Sequence, residues 1–237
     1  MSENEAAPES EIDLGSTVKS TANTVAEMLD QGQALFEQSD VYFGHGTDNA
    51  WDEAVYLLSF VLDLAPDVDR AVLEKVLTPQ QQAAILALYQ RRIQERIPAA
   101  YLTGRAWFCG LPFAVDERVI IPRSPIAEMI MTGFEPWCAS EPSRVLDLCT
   151  GSGCIGIACA YAFESAEIVL SDISPEALQV TDANIAQHKL GYRVSAVESD
   201  LFEMMPSEMF QLIVSNPPYV DAEDFASMPD EYSHEPE

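Results

Sequence analysis

Val145-Leu146-Asp147-Leu148-Cys149-Thr150-Gly151-Ser152-Gly153-Cys154-Ile155-Gly156 decides how the rest of the chain is read. Residues 145–148 form a short apolar strand. Residues 150–153 turn tightly through two glycines, and residues 154–163, small and apolar, continue as a helix. A strand that turns through glycines straight into a helix is the first half of a βαβ unit. The pattern repeats outward from it. Residues 167–170 read as a second strand running on to Asp172, and Ser174-Pro175-Glu176 opens the next helix with a cap and a proline. That helix runs to about Lys189, with Gly191 ending it, and residues 193–197 are a third strand followed by Asp200. Residues 210–214 are a fourth. The alternation predicts an α/β fold with a doubly wound parallel sheet.

The fourth strand leads through Ser215 into Asn216-Pro217-Pro218-Tyr219. Two successive prolines have fixed φ and no N–H, so the chain stops pairing and leaves in a rigid extended form. That rigidity freezes the side-chain amide of Asn216 beside the backbone carbonyl of Pro217. Two acceptors side by side suit a planar –NH2 group, and Tyr219 can cover its flat face. A site that accepts both hydrogens of a nitrogen while leaving its lone pair free is suited to alkylating that nitrogen.

The glycine loop also matches G-x-G-x-x-G, with Asp172 about twenty residues on, so a dinucleotide fits the spacing. Three features argue for S-adenosylmethionine instead. Asp147 stands close to the loop, where a pyrophosphate is repelled and a cationic cofactor is favoured. Asp200 offers a second carboxylate at the end of the third strand, near where an adenine amino group would sit. The Asn-Pro-Pro-Tyr stretch has no part in hydride transfer. All of these residues fall at successive strand ends, the edge where open α/β sheets bind ligands.

Upstream, residues 1–18 are acidic and rich in Ser, Ala and Pro and are expected to be a disordered tail. Residues 19–97 read as a helical bundle. A helix begins near Thr21, with Val25, Met28, Leu29, Leu35 and Phe36 at helical spacing. A second spans about 49–64, with Trp51, Ala54, Val55, Leu58, Val61 and Leu62 as its apolar stripe, ended by Pro66 and Asp67. A short third helix covers about 69–77. Thr78-Pro79-Gln80-Gln81 is a capping box with proline at the first position, starting a helix to about Ile97 with Ile85, Leu88, Tyr89 and Ile93 inward. Arg91, Arg92 and Arg96 sit at its end, where cations suit the helix dipole. His45, between Gly44 and Gly46, is expected to be structural. Residues 98–123 read as a β-hairpin linker: 99–104 connect, 105–109 and 112–115 flank a turn at Gly110-Leu111, and 119–121 are a short extended piece. A short helix follows from Ser124 or Pro125 to about Met131, within a cofactor half spanning 124–237.

The 39 acids and 12 bases give a net charge of −27. Such a field repels nucleic acid and attracts basic proteins. No apolar run approaches the roughly 18–20 residues of a membrane span. The acidic start is unlike a targeting peptide, so a cytoplasmic location is expected, with no membrane partner. The five cysteines contain no Cys-x-x-Cys, and Cys149, Cys154 and Cys159, five apart, are read as small buried thiols and not as metal ligands.

Residues 147–155 together with Asn216-Pro217-Pro218-Tyr219 resemble the protein-glutamine methyltransferases, a family with an N-terminal helical domain, a β-hairpin linker and a Rossmann-like methyltransferase domain. Residues 96–104 and the hairpin are similar too. Ser124-Pro125-Ile126-Ala127-Glu128 and Cys149 look like the branch acting on large-subunit ribosomal protein L-three; the release-factor branch usually carries Pro-Arg-Pro-Glu-Thr-Glu there. The resemblance implies that Asp147, Cys149, Thr150, Gly151, Ser152, Gly153 and Asp172 bind S-adenosylmethionine, with Asp200 and Leu201 near the adenine. It implies that Asn216 and the Pro217 carbonyl hold the glutamine amide, with Pro218 stiffening the loop and Tyr219 packing on the amide. It further implies that the family's chain continues into further strands, so that the four-stranded sheet is expected to be C-terminally truncated, with an unprotected edge and weakened activity. The rivals are the release-factor branch, a DNA amino-methyltransferase, a nicotinamide oxidoreductase, and a cofactor-binding protein without turnover.

Overall fold

The computed structural model describes residues 22–64, 70–205, 209–220, 224 and 227–236. The acidic tail, the Pro66-Asp67 helix stop and residue 69 lie outside the described residues.

The helical layer follows its capping signals. α1 (Val25–Glu37) starts four residues later than the periodicity predicts, because Thr24 is its N-cap: its hydroxyl accepts from the Glu27 N–H at 3.3 Å, and Glu27 accepts back from the Thr24 N–H. α2 (Ala50–Leu62) is capped by Asn49, which accepts from the Asp52 N–H. α3 (Arg70–Leu73) is one turn. α4 (Pro79–Glu95) begins at the expected Thr78–Gln81 box. Val25, Met28, Leu29, Phe36, Leu57, Leu58, Ile85 and Tyr89 fill one core, and the Tyr89 hydroxyl donates to the Ala54 carbonyl at 3.1 Å. Gly32 is required by this packing, since a Cβ there would stand 2.5 Å from the Tyr89 ring.

Three expectations for this region are corrected. Trp51 is not on the buried stripe but 38% exposed. Leu88 and Ile93 are only half-buried, and Leu86 and Arg92 take the interior of α4. Residues 99–104 are not a plain linker: α5 (Ala99–Thr103) starts from Pro98 and closes on Gly104 in the left-handed region, where glycine carries no Cβ penalty.

β1 (Arg105–Phe108) and β2 (Leu111–Ala114) pair antiparallel. Their turn is Cys109-Gly110, one residue earlier than expected. Both residues have positive φ, 50° and 75°, as a turn that follows the strand twist requires. Residues 119–121 form no strand. Val119 and Ile121 are instead buried in a loop, held where the Tyr101 hydroxyl donates to the Val119 carbonyl at 2.6 Å.

After α6 (Ile126–Met131) the chain alternates β3 (Arg144–Leu148), α7 (Cys154–Ala162), β4 (Glu167–Asp172), α8 (Pro175–Gln187), β5 (Val194–Glu198) and β6 (Leu212–Ser215). All four strands are parallel, in the order β5-β4-β3-β6, as the alternation predicts. A 3-10 turn, Asp230–His234, follows. Val145, Ile157, Cys159, Ile168, Leu170 and Val194 belong to the core between α7 and the sheet. Gly156 sets how closely they approach: a Cβ on it would meet Leu170 Cδ2 at 2.0 Å. Among the described residues β6 is a sheet edge, with Ile213 48% exposed, and no helix is long and apolar enough to cross a membrane.

Candidate active site

The register of the sheet gathers the strand ends. Leu148 of β3 lies opposite Ser171 of β4 on one side and Ser215 of β6 on the other, while Asp172 lies opposite Glu198 of β5. The turn from Cys149 to Gly153, the end of β4 at Asp172, the turn at Asp200-Leu201 and the start of Asn216-Pro217-Pro218-Tyr219 therefore leave the same edge side by side. The Ser215 hydroxyl donates to the Leu148 carbonyl at 2.9 Å and ties the two central exits together.

The turn itself is a network of local hydrogen bonds. Gly153 N–H donates to the Thr150 carbonyl at 2.9 Å, and Thr150 N–H to the Ser171 carbonyl at 3.0 Å. Asp172 accepts from the Gly151 N–H at 2.9 Å through one oxygen and from the Ser174 N–H at 3.0 Å through the other, so one carboxylate orders both loops. Gly151 and Gly153 have φ of 55° and 81°, and Cys149, which is not glycine, is held at 56°. A left-handed non-glycine residue costs about 1–3 kcal/mol and persists where its surroundings over-determine it. Leu201 repeats the feature at 46° in the turn after β5.

Asp147 is fully buried. Its Oδ2 accepts from the Thr150 hydroxyl at 2.6 Å and the Gly156 N–H at 2.9 Å, and its Oδ1 has no hydrogen-bond partner among the described residues. Burial pushes its carboxyl up to about 7 against those two hydrogen bonds, and the Asp172 charge adds to the rise. Burial also raises the Cys149 thiol, with the charges of Asp172, Asp147 and Asp200 pushing the same way, so three carboxylates converge on this turn. Burial raises Cys154 to about 12, and Cys159 is raised as well. Both are buried packing groups, as the sequence predicts, whereas Cys149, expected to be buried with them, is only half-buried because it lies in the turn at the sheet edge.

Asn216 is half-buried, while Pro217, Pro218 and Tyr219 are exposed, Tyr219 by 81%. Gly151 faces open space: a Cβ on it would meet nothing within 4 Å. No Lys or Arg occurs in residues 147–153, 172–174 or 199–201. An edge with three carboxylates, one unpartnered buried oxygen and no cation does not fit a pyrophosphate. It fits a cationic ligand that carries hydroxyl and amino donors.

Two supports escaped the sequence reading. Asn184 of α8 is fully buried. Its amide nitrogen donates to the Ser152 carbonyl at 2.8 Å and the Ala114 carbonyl at 3.0 Å, and its oxygen accepts from the Ala114 N–H at 2.7 Å, joining the hairpin to the glycine turn. Thr181 donates to the Gly151 carbonyl at 2.7 Å. Two polar residues on an otherwise apolar face, between Val180 and Ile185, were the available signal. The second support is the cluster of Arg92, Arg96, Arg123, Glu231 and Glu235 beyond the sheet, which no local pattern announces.

Residues 131–228 match the Methyltransferase small domain family, and residues 27–104 match the PrmC N-terminal domain family. A ribosomal protein uL3 glutamine methyltransferase of Francisella tularensis is 50% identical over 217 residues, covering 90% of this chain and 69% of that protein. One from Bordetella pertussis is 43% identical over 215 residues, covering 90% and 72%. Among solved structures, a ribosomal protein L11 methylase from Lactobacillus delbrueckii is 27% identical, with a TM-score of 0.33 over 38% of this chain and 45% of that one.

Proposed function

The chain belongs to the ribosomal protein uL3 glutamine methyltransferase family, and on that premise we propose that it methylates the side-chain amide nitrogen of a glutamine in uL3, at the carboxyl edge of its Rossmann-like sheet. When bound, S-adenosylmethionine supplies an electrophilic methyl group on a cationic sulfur. The turn of Asp147, Cys149, Thr150, Gly151, Ser152 and Gly153 would hold it, with Asp172 offering acceptors to its hydroxyls and Asp200 and Leu201 available to its adenine. The open face of Gly151 and the unpartnered Asp147 oxygen support this assignment.

Asn216 Oδ1 and the Pro217 carbonyl accept the two N–H groups of the substrate amide, and Tyr219 covers its face. An amide nitrogen is a poor nucleophile because its lone pair is delocalised. Accepting both hydrogens returns electron density to the nitrogen and fixes its approach, so positioning and fixed dipoles carry the catalysis without a covalent intermediate. Pro217 and Pro218 hold the two acceptors rigid. The observation that carries the reading is the adjacency of β3 and β6, which sets the glycine turn and Asn216 at neighbouring exits of one edge.

Residues 19–97 are assigned to recognition of the protein substrate, residues 98–123 to the hairpin linker and residues 124–237 to catalysis. The net charge of −27 suits a basic protein and disfavours nucleic acid. A ribosomal protein as substrate places the work in the cytoplasm. The test offers purified uL3, a release factor and DNA separately, with labelled S-adenosylmethionine. The expected result is label on a uL3 glutamine. Label on the release factor instead moves the assignment to the sister branch, and label on DNA overturns the protein substrate altogether.

A further inference from the structure

Glu231 and Glu235, downstream of residues 216–219, are built into the helical layer and the linker. Glu231 is fully buried. One of its oxygens accepts from Arg92 Nη1 at 3.1 Å and from the Tyr42 N–H at 2.9 Å, and the other accepts from Arg96 Nη2 at 2.9 Å. Arg92, 1% exposed, also donates to Glu53 and to the Tyr42 carbonyl at 2.8 Å. Burial works to raise the Glu231 carboxyl, but Arg96, the Tyr42 N–H and Arg92 outweigh it and hold the group below the ordinary carboxylate range. Four residues on, Glu235 takes a two-pronged grip from Arg123 at 2.6 and 2.5 Å and accepts from the Ile121 N–H at 3.3 Å. Between the two acids the Tyr232 ring lies 5.3 Å from the Arg123 guanidinium and 4.4 Å from the His45 ring.

Residues 217–220 are exposed and have little of their own surface to hold them. A stiff, exposed loop takes its position from its ends. The upstream end is fixed by the pairing of Leu148 with Ser215. We infer that Arg92, Arg96 and Arg123 are positioning residues: through Glu231 and Glu235 they tie the chain that leaves the Asn216-Pro217-Pro218-Tyr219 loop to the helical layer and the linker, and so limit where the substrate amide is presented. The inference rests on the reading of that loop given above. The geometry supports fixation because an Arg–carboxylate fork holds orientation as well as distance, and because a displaced reacting group is costly even when the change lies far from the chemistry.

The test uses the whole chain and the variant E235Q, chosen because Arg123 is part-exposed and tolerates the loss better than the fully enclosed Glu231. Amide hydrogen exchange at Tyr232 and Glu235, whose N–H groups donate to the Pro229 and Tyr232 carbonyls, is expected to quicken about tenfold or more while β3 and β4 keep their protection. The kcat for transfer to uL3 is expected to fall about tenfold to a hundredfold with cofactor affinity unchanged, and the charge-swapped double variant R123E/E235R should recover part of the loss. Unchanged exchange at Tyr232 and Glu235, quickening spread equally over β3 and β4, or an unchanged kcat once the anchor has loosened, overturns the inference. If wild-type protein transfers no methyl to uL3 but the local exchange result holds, the anchoring stands and the proposed function falls.

Discussion

Asp147 and Glu231 are both fully buried acids, and the fold treats them in opposite ways. Asp147 has two neutral donors on one oxygen, none on the other and a carboxyl pushed up to about 7 by burial. Glu231 is met by two guanidiniums and a backbone N–H, and is held below the usual range although burial opposes this. A buried carboxylate with its charge matched is a finished joint. One left without a counter-charge holds its proton more tightly instead, and under the proposed function it is the group a cationic ligand would complete. That contrast separates the proposed binding edge from the scaffold proposed to position it.

The largest effect should come from breaking the finished joint. Glu231→Gln leaves Arg92 and Arg96 without a counter-charge and is expected to cost about 3–5 kcal/mol, read as a fall in the denaturation midpoint. Asp147→Asn should do the reverse at pH 8: stability held or raised, with cofactor affinity lowered in calorimetry. A loss of stability as large as that of Glu231→Gln would erase the contrast between the two acids.

Smaller is the effect expected at the closest approach of α7 to the sheet. Gly156→Ala adds a Cβ that meets Leu170, itself fully buried, so the helix or the strand must shift, at about 1–3 kcal/mol. Because the Gly156 N–H donates to Asp147, cofactor affinity should fall in the same variant, measurable by calorimetry on the folded fraction.

The smallest effects are slopes in pH. Burial lowers His45 to about 4, with the Arg123 and Arg92 charges helping and Glu235 opposing. As pH falls below the ordinary histidine value of about 6.5, the unfolded chain takes up a proton that the folded chain refuses, so stability drops between about 6.5 and 4. Asp147 has the opposite sign. Its folded form keeps a proton that the unfolded form loses near 4, so its contribution declines as pH rises from about 4 to 7. Relative to the parent chain, His45→Gln should gain stability toward low pH and Asp147→Asn toward neutral pH. Parallel midpoint-against-pH curves for all three proteins would contradict both assignments.

How far each region could be read from sequence follows from how it is built. The glycine turn joins residues whose partners lie close along the chain or on adjacent strands. The turn glycines, the Ser174 cap and the apolar strand runs therefore announced the parallel sheet, with boundaries shifted by a residue or two. α5 was missed because Ala99–Thr103 carries no side-chain cap and is too short for periodicity to register. The Arg92–Glu231 joint spans 139 positions and the Arg123–Glu235 joint 112, beyond any local pattern. Apolar periodicity assigns an arginine to the surface, so Arg92 at the end of α4 looked like a dipole partner in solvent. The exit of the chain from the sheet after Ser215 was legible because two prolines after an apolar strand have few conformations open to them.

The most direct measurement is on Asn216→Ala, with S-adenosylmethionine affinity by calorimetry and methyl transfer to uL3 by label incorporation on the same preparation. Transfer should be abolished while cofactor affinity stays within about twofold of the parent, since Asn216 is assigned to the substrate amide and the cofactor to the neighbouring turn. Loss of both in equal measure, or transfer that persists, would contradict that division of the edge.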